Sequence, residues 1–176
     1  MNFGVDVPTL ETERLILRAY QLTDFPFISD VWTKEEVVRH IGGRARTEEE
    51  CWMKFLRMIG HWSIMGFGYW MIEDRATGAP VGEAGFADFK RDMTPSIKNA
   101  AEGGWVLAPE FHRQGLATEA MKGALAWFRE HFSDREICCI IEPANAPSIR
   151  VAEKLGFSET VQTKYHGENI GLFHLR

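Results

Sequence analysis

Hydrophobic residues recur along this chain with two periods, one typical of strands and one typical of helices. The clearest helical repeat spans residues 115–131, with apolar side chains at Ala117, Ala120, Met121, Ala124, Leu125 and Phe128. Alternating or continuous apolar runs predict strands at 14–20, 69–73, 81–89, 102–108, 137–141, 157–163 and 170–175. Capping residues predict further helices at 24–32, 47–62 and 145–155. This order predicts an α/β fold with a mixed sheet and helices on both faces.

Composition narrows the class of protein. A chain of 176 residues fits one domain, residues 1–176. Lys and Arg total 20 and Asp and Glu total 25, so the net charge of −5 argues against a nucleic-acid partner. The sequence has neither 18 consecutive apolar residues nor a signal peptide pattern, so we expect no membrane partner. The three cysteines lack disulfide or metal spacing, which favours a cytoplasmic protein.

The polar loop between the predicted strand 102–108 and the long helix contains a candidate binding site. N–H groups at a helix start lack intrahelical acceptors, and the helix dipole adds positive potential there. Gly115 and Ala117 let a phosphate approach the backbone, and Arg113 adds a full positive charge. We therefore predict an anion cradle suited to a pyrophosphate. The alternative is that Gly115 only makes a turn and Arg113 is solvated.

The segment His112-Arg113-Gln114-Gly115-Leu116-Ala117 resembles the acyl-CoA pyrophosphate motif, Gln/Arg-x-x-Gly-x-Gly/Ala, of the GCN5-related N-acetyltransferases (GNAT). Four segments are similar to the branch that acetylates ribosomal-protein N-termini: 12–18, 117–120, 145–148 and 154–157. The resemblance covers about residues 9–176 and implies a GNAT-like, mostly antiparallel twisted sheet that splays at the acyl-CoA site. His112 stands where the motif usually has Gln or Arg, which affects the first contact.

The resemblance also implies where acetyl-CoA, the co-substrate, binds. It would enter between the strands 102–108 and 137–141, with its pantetheine arm paired to the backbone of Trp105, Val106 and Leu107. The pyrophosphate would be held by the N–H groups of Arg113, Gln114, Gly115, Leu116, Ala117 and Thr118. Asn145 would hydrogen-bond the pantetheine or hold its loop.

Acetyl transfer needs a base, because an amine near neutral pH is protonated and must lose a proton before it attacks a thioester. The candidate bases are Glu83, in a strand of small apolar residues, and Glu102, at the start of the acyl-binding strand. Each has an ordinary alternative, a solvated edge position for Glu83 and a strand-start charge for Glu102. The N–H of Val106 or Leu107 would stabilise the oxyanion.

Ser148 is the candidate acid for the leaving thiolate. The wider family often has a Tyr at the position of Ala152, and Ser148 lies one helical turn earlier on the same face. The resemblance also suggests a Ser in this role. The alternative is structural: Ser148 is the N3 residue of a helix capped by Asn145, and capping alone would account for a small polar residue there. Tyr165 is a second candidate for the acid.

The sequence thus predicts an N-acetyltransferase that moves an acetyl group from acetyl-CoA to a primary amine, of a protein N-terminus or a small molecule. One alternative is an acyl-CoA-binding sensor or scaffold without turnover, and another is a nucleotide hydrolase that uses the same helix start. The six histidines show no metal-binding spacing, so we expect no catalytic metal. The oligomeric state stays open, a homodimer included.

Overall fold

An eight-stranded sheet forms the centre of the protein, for which a computed structural model describes residues 6–175. The strands are β1 (Leu10–Glu11), β2 (Leu15–Arg18), β3 (Tyr69–Asp74), β4 (Pro80–Ala87), β5 (Ala101–Leu107), β6 (Ile137–Ile141), β7 (Phe157–Tyr165) and β8 (Glu168–Leu175). The helices are α1 (Phe25–Val31), α2 (Glu35–Val38), α3 (Glu48–Met65), α4 (Leu116–His131) and α5 (Ala146–Lys154). None of the helices between residues 6 and 175 combines the length and apolar content needed to cross a membrane.

The strands lie in the order β1-β2-β3-β4-β5-β6-β8-β7. Within residues 6–175 every neighbouring pair is antiparallel except β5 and β6, which are parallel and joined by α4. Such a parallel pair requires a crossover connection of this kind. The α/β fold and mixed sheet predicted from sequence are confirmed. The short elements β1 and α2 were missed, because two and four residues are too few to reveal a period.

Side chains along the central strands alternate between two hydrophobic layers. On β3, Trp70 and Ile72 belong to the layer that α4 covers, whereas Tyr69 and Met71 belong to the layer that α1 and α3 cover. Phe128 of α4 is fully buried, as its place in the helical repeat predicts. The α1 and α3 layer borders a cleft beside β5.

The helix α3 has well-defined ends. Thr47 accepts the Glu50 N–H at 3.2 Å, and the Glu50 carboxylate accepts the Thr47 N–H at 2.9 Å, which is the predicted capping box. Ion pairing with Arg44, supported by the bond from Thr47, lowers the pKa of Glu50 to about 2. The helix ends at Gly66, whose φ of 72° is left-handed and suits glycine.

His61 ties α3 to the chain on either side of the hairpin formed by β3 and β4. Its Nδ1–H donates to the Phe67 carbonyl at 2.6 Å, and its Nε2 accepts the Asp88 N–H at 3.0 Å. These two partners select one neutral tautomer. Burial lowers the pKa of His61, so the folded protein favours the neutral ring.

Candidate active site

A cleft opens where β5 and β6 separate. In the described chain they pair only at Ala101 with Ile137 and at Glu102 with Cys138, although β5 continues to Leu107. This is the splay that the family resemblance implied. The cleft has a volume of 1480 Å³ and reaches from the turn between β7 and β8 to α3. Ligand pockets usually measure about 300–1,000 Å³, so this cleft is larger than most.

The edge of β5 that faces the cleft carries unpaired peptide groups. The Ala101 N–H donates to the Glu136 carbonyl at 2.8 Å, towards β6, and the Ala108 N–H donates to the Val81 carbonyl at 2.9 Å, towards β4. Peptide groups alternate in direction along a strand. Beyond the last pairing with β6, Trp105 and Leu107 therefore direct their N–H and C=O groups into the cleft, as an added strand would require. Of these groups, the Leu107 carbonyl is already bonded by the His112 side chain.

Two of the three residues predicted to pair with the pantetheine arm have the required orientation. Trp105 and Leu107 present their backbones to the cleft by this alternation. Val106 does not, because it pairs with Glu83 of β4 and its peptide groups face that strand. The predictions that the Val106 backbone contacts the pantetheine and donates to the oxyanion are therefore wrong. Of the two predicted oxyanion donors, only the Leu107 N–H faces the cleft.

The turn before α4 has the geometry expected of an anion cradle. Gly115 is left-handed with φ 78°, and Arg113 is left-handed with φ 61°. Within the described chain, the six consecutive N–H groups of residues 113–118 have no hydrogen-bond acceptor. They lie at the start of the 16-residue helix α4, where the helix dipole is positive. The predicted cradle residues thus lie together with free donors.

Arg14 braces this turn from the strand side. Its guanidinium donates to the Gln114 carbonyl at 3.0 Å and to the Glu119 carboxylate at 2.7 Å. Glu119 also accepts the Thr12 hydroxyl at 2.6 Å. Burial raises the pKa of Glu119, but these bonds outweigh it and the net shift is downward. The ion pair offsets the negative charge of Glu119 beside the cradle. It also joins segments 12–18 and 117–120, which the sequence resemblance identified separately.

His112, the departure from the family motif, has a defined partner. Its Nε2–H donates to the Leu107 carbonyl at 2.8 Å, so the ring points to the end of β5. The Gln114 side chain likewise donates to the Glu110 carbonyl at 2.8 Å. Both side chains hold the loop, which leaves only the backbone of Gln114 for the cradle.

Glu83 is buried in the wall of the cleft. It is 1% exposed on the interior strand β4, so the alternative of a solvated edge position is wrong. Its Oε2 accepts the Tyr20 hydroxyl at 2.7 Å, while Oε1 accepts the Trp32 Nε1–H at 3.0 Å and pairs with the Lys54 ammonium. A carboxylate offers about four acceptor sites. One site on Oε2 therefore remains for a further donor.

Lys54 is a site residue that the sequence analysis missed. Its side chain is 14% exposed and its ammonium lies 4.8 Å from the centroid of the Trp32 ring. Burial lowers the pKa of Lys54, and Glu83 opposes that shift. The available signal was position: Lys54 follows Cys51 by three residues and precedes Met58 by four, on the buried stripe of α3.

Glu102 lies where β5 and β6 rejoin. Arg91 donates to both of its oxygens, at 2.5 and 2.6 Å. The Arg91 guanidinium also lies 4.9 Å from the ring centroids of Phe89 and Tyr165. Burial lowers the pKa of Arg91, but Glu102 outweighs it and the net shift is upward. Glu102 is thus a buried, paired carboxylate at the deep end of the cleft, and Tyr165 lies against its partner.

Asn145 and Ser148 lie on the β6 side of the cleft. The Asn145 Oδ1 accepts the Ser148 N–H at 3.2 Å, which confirms the predicted cap. The Ser148 hydroxyl has no partner among the described residues and lines the cleft, so its role as the acid stays a prediction. Across the opening, His40 Nδ1 lies 2.7 Å from the Glu142 carboxylate and connects the loop after α2 to the end of β6.

Comparisons with known proteins identify a family and a shared fold. The sequence model of the acetyltransferase (GNAT) domain matches residues 14–158. An uncharacterized N-acetyltransferase of Bacillus licheniformis, p20, is 27% identical over 152 residues, which are 86% of this chain and 83% of that protein. An acetyltransferase structure from Agrobacterium tumefaciens is 25% identical with a TM-score of 0.82, over 100% and 98% of the two chains. Spermidine N-acetyltransferase of Vibrio cholerae, solved with CoA and spermine, shares the fold at 16% identity and a TM-score of 0.72, over 92% and 95%.

Proposed function

Because the chain belongs to the GNAT acetyltransferase family, we propose that it transfers the acetyl group of acetyl-CoA to a primary amine by direct attack in a ternary complex. The observation that carries this proposal is the placement of six free N–H groups at residues 113–118 beside the open edge of β5. A diphosphate needs the first feature, and an extended amide-containing arm needs the second.

The cofactor would lie along β5, with its diphosphate at the turn before α4 and its pantetheine arm running back from Leu107 to Trp105. Its diphosphate would accept from the N–H groups of residues 113–118, next to the Arg113 side chain. Its pantetheine amides would pair with the backbones of Leu107 and Trp105, in the manner of β-strand addition. Asn145 has its Oδ1 committed to Ser148, so only its amide NH₂ is free to contact the arm.

Glu83 is the base in this proposal. An acceptor ammonium with a pKa of about 8 to 10 must give up a proton before attack. The open acceptor site on Glu83 Oε2 would accept that proton, directly or through one water. The cluster around Glu83 fixes the carboxylate in the wall of the cleft. Glu102 is the second candidate, and Arg91 leaves two of its four acceptor sites open.

Attack forms the C–N bond, places negative charge on the carbonyl oxygen and then breaks the C–S bond. A peptide N–H group on the cleft edge of β5 would donate to that oxygen. The thiolate leaves as the anion or takes a proton from the Ser148 hydroxyl, since a thiol pKa is only about 8.5. The acceptor amine is that of a protein N-terminus or a small molecule.

Release of free thiol tests this function. The protein is incubated with acetyl-CoA and a panel of amines: peptides with a free N-terminal alanine or serine, spermidine, an aminoglycoside and free amino acids. We expect thiol release with at least one class, and a loss in kcat of about 100-fold in Glu83→Gln with little change in acetyl-CoA affinity. Glu130→Gln, on the exposed side of α4, is the matched control. Binding without release on every amine would favour the sensor alternative instead.

A further inference from the structure

One tyrosine ring lies across the sheet in a place made by two glycines. Tyr69 on β3 is paired with Gly85 on β4, and Gly85 is paired with Gly104 on β5. With no side chain at Gly85 or Gly104, the Tyr69 side chain reaches across β4 to Gly104 of β5. A Cβ built on Gly104 would overlap the Tyr69 hydroxyl oxygen and lie 3.1 Å from the Tyr69 Cζ. The hydroxyl therefore occupies the place of a side chain at Gly104.

The Tyr69 hydroxyl is unpaired in a residue that is otherwise buried. The residue is only 7% exposed, yet its hydroxyl has no hydrogen-bond partner within residues 6–175. Tyrosine hydroxyls usually find a partner when they are buried. The oxygen is absent from the fully enclosed unpaired atoms of the described residues, and Tyr69 lines the cleft. The hydroxyl is thus open to whatever occupies the cleft.

The depth of the cleft determines which part of a bound cofactor arm lies beside the Tyr69 hydroxyl. An arm that starts at the turn 113–118 and follows the edge of β5 passes Leu107 and Trp105 in that order. It can go no deeper than Gly103 and Gly104, because β5 and β6 rejoin at Glu102. A strand advances about 3.3 Å per residue, so an arm that reaches this limit covers about 10 Å between Leu107 and Gly104. We infer that its reactive end lies at the level of Gly104. That is where the Tyr69 hydroxyl lies.

We propose that Tyr69 is a catalytic residue whose hydroxyl donates a hydrogen bond to the thioester carbonyl oxygen and to the oxyanion that forms there. This rests on the proposed function. As the C–N bond forms, the carbonyl π electrons move to oxygen; they return as the C–S bond breaks. Tyr69 keeps its proton throughout, so its part is to stabilise charge in a low-dielectric site.

The surroundings of Tyr69 suit a donor that never ionises. Burial raises the pKa of Tyr69, and the carboxylates of Glu102 and Glu83 raise it further. Both carboxylates predicted as bases lie on the same face of the sheet as this hydroxyl, because Tyr69 pairs with Gly85, two residues from Glu83, and Gly85 pairs with Gly104, two residues from Glu102. A base on that face would remove the ammonium proton while Tyr69 holds the carbonyl.

The first test needs no acceptor amine. Acetyl-CoA labelled with ¹³C at the carbonyl is bound to the wild type and to Tyr69→Phe, and the thioester C=O stretch is read by isotope-edited infrared spectroscopy. We expect the stretch to lie at higher frequency in Tyr69→Phe, since a hydrogen bond to the oxygen has been removed. Acetyl-CoA affinity should change by less than about threefold, and kcat should fall about 100-fold or more.

Gly104→Ala provides a second, steric test. Its methyl group would displace the Tyr69 hydroxyl, so we expect the same spectral shift and a similar loss in kcat. In the Tyr69→Phe background the nearest ring atom is Cζ, at 3.1 Å, and small shifts accommodate the methyl group. The Gly104→Ala change should therefore cost much less there than in the wild type.

The outcomes separate the two claims. A wild type that binds and turns over acetyl-CoA, with an unchanged C=O stretch and kcat in Tyr69→Phe, overturns the role of Tyr69 and leaves the transferase intact. A loss confined to Tyr165→Phe assigns the hydroxyl chemistry to Tyr165 and overturns it too. Failure of the wild type to bind acetyl-CoA removes the proposed function itself.

Discussion

The buried pair of Glu83 and Lys54 gives a quantitative prediction. The perturbations are Glu83→Gln, Lys54→Met and the double variant, all close in shape to the original side chains. Lys54→Met leaves a carboxylate that is 1% exposed with only the Tyr20 and Trp32 donors. Glu83→Gln leaves an ammonium whose side chain is 14% exposed without its counter-charge.

Magnitudes follow from these contacts. Removing one partner of a buried ion pair typically costs about 3–5 kcal/mol, because the other charge is left uncompensated. We expect about 3–4 kcal/mol for Lys54→Met. For Glu83→Gln we expect about 2–3 kcal/mol, since the amide oxygen can still accept from Lys54 and Trp32. Replacing both charges removes the uncompensated charge, so the double variant should lose less free energy of unfolding than the sum, by about 2 kcal/mol.

Urea unfolding measures all three variants at one pH. For a chain of this length about 1 kcal/mol shifts Tm by about 2–4 °C, so melting curves give an independent check. Additive losses, or single-variant losses below about 0.5 kcal/mol, would show that water screens the pair and that our account of a dry carboxylate is incorrect. Glu130→Gln, at an exposed position, should change stability by less than about 0.5 kcal/mol.

Three further predictions concern the cradle and two histidines. Gly115→Val should weaken acetyl-CoA binding by about 100-fold in calorimetry, because a branched side chain at this turn would crowd the free N–H groups and the Arg14 guanidinium, 3.7 Å from the added Cβ. Gly78→Val has a similar strain (φ 71° against 78°) in an open turn and should bind normally. His112→Ala should weaken acetyl-CoA binding several-fold by freeing the end of β5, and unchanged affinity would exclude that role. Since the pKa of His61 is lowered on folding, the unfolded chain gains a proton first as pH falls below about 6.5. Urea midpoints should therefore drop between pH 7.5 and 5.5, and His61→Gln should flatten that slope; an equal slope in both proteins would contradict it.

The cradle could be predicted from the sequence because its parts are local. Gly115 and the helix that follows lie in one segment, and their pattern needs no tertiary information. The helix α4 was predicted to within one residue for the same reason.

The remainder of the site depends on tertiary contacts. Tyr69 contacts Gly104 through two strand registers that no local pattern specifies. Lys54 meets Glu83 across a helix and a strand, 29 positions apart. The orientation of the Val106 backbone follows from which edge of β5 is open, which only the assembled sheet defines. The sequence could therefore name candidate carboxylates but not their partners.

A structure of the protein with bound acetyl-CoA tests the central claim most directly. We expect the diphosphate within hydrogen-bond distance of the N–H groups of residues 113–118, with the pantetheine arm along Leu107 and Trp105 and the thioester at Gly104. Coenzyme bound at another surface, or a turn that stays empty at saturating acetyl-CoA, would contradict it.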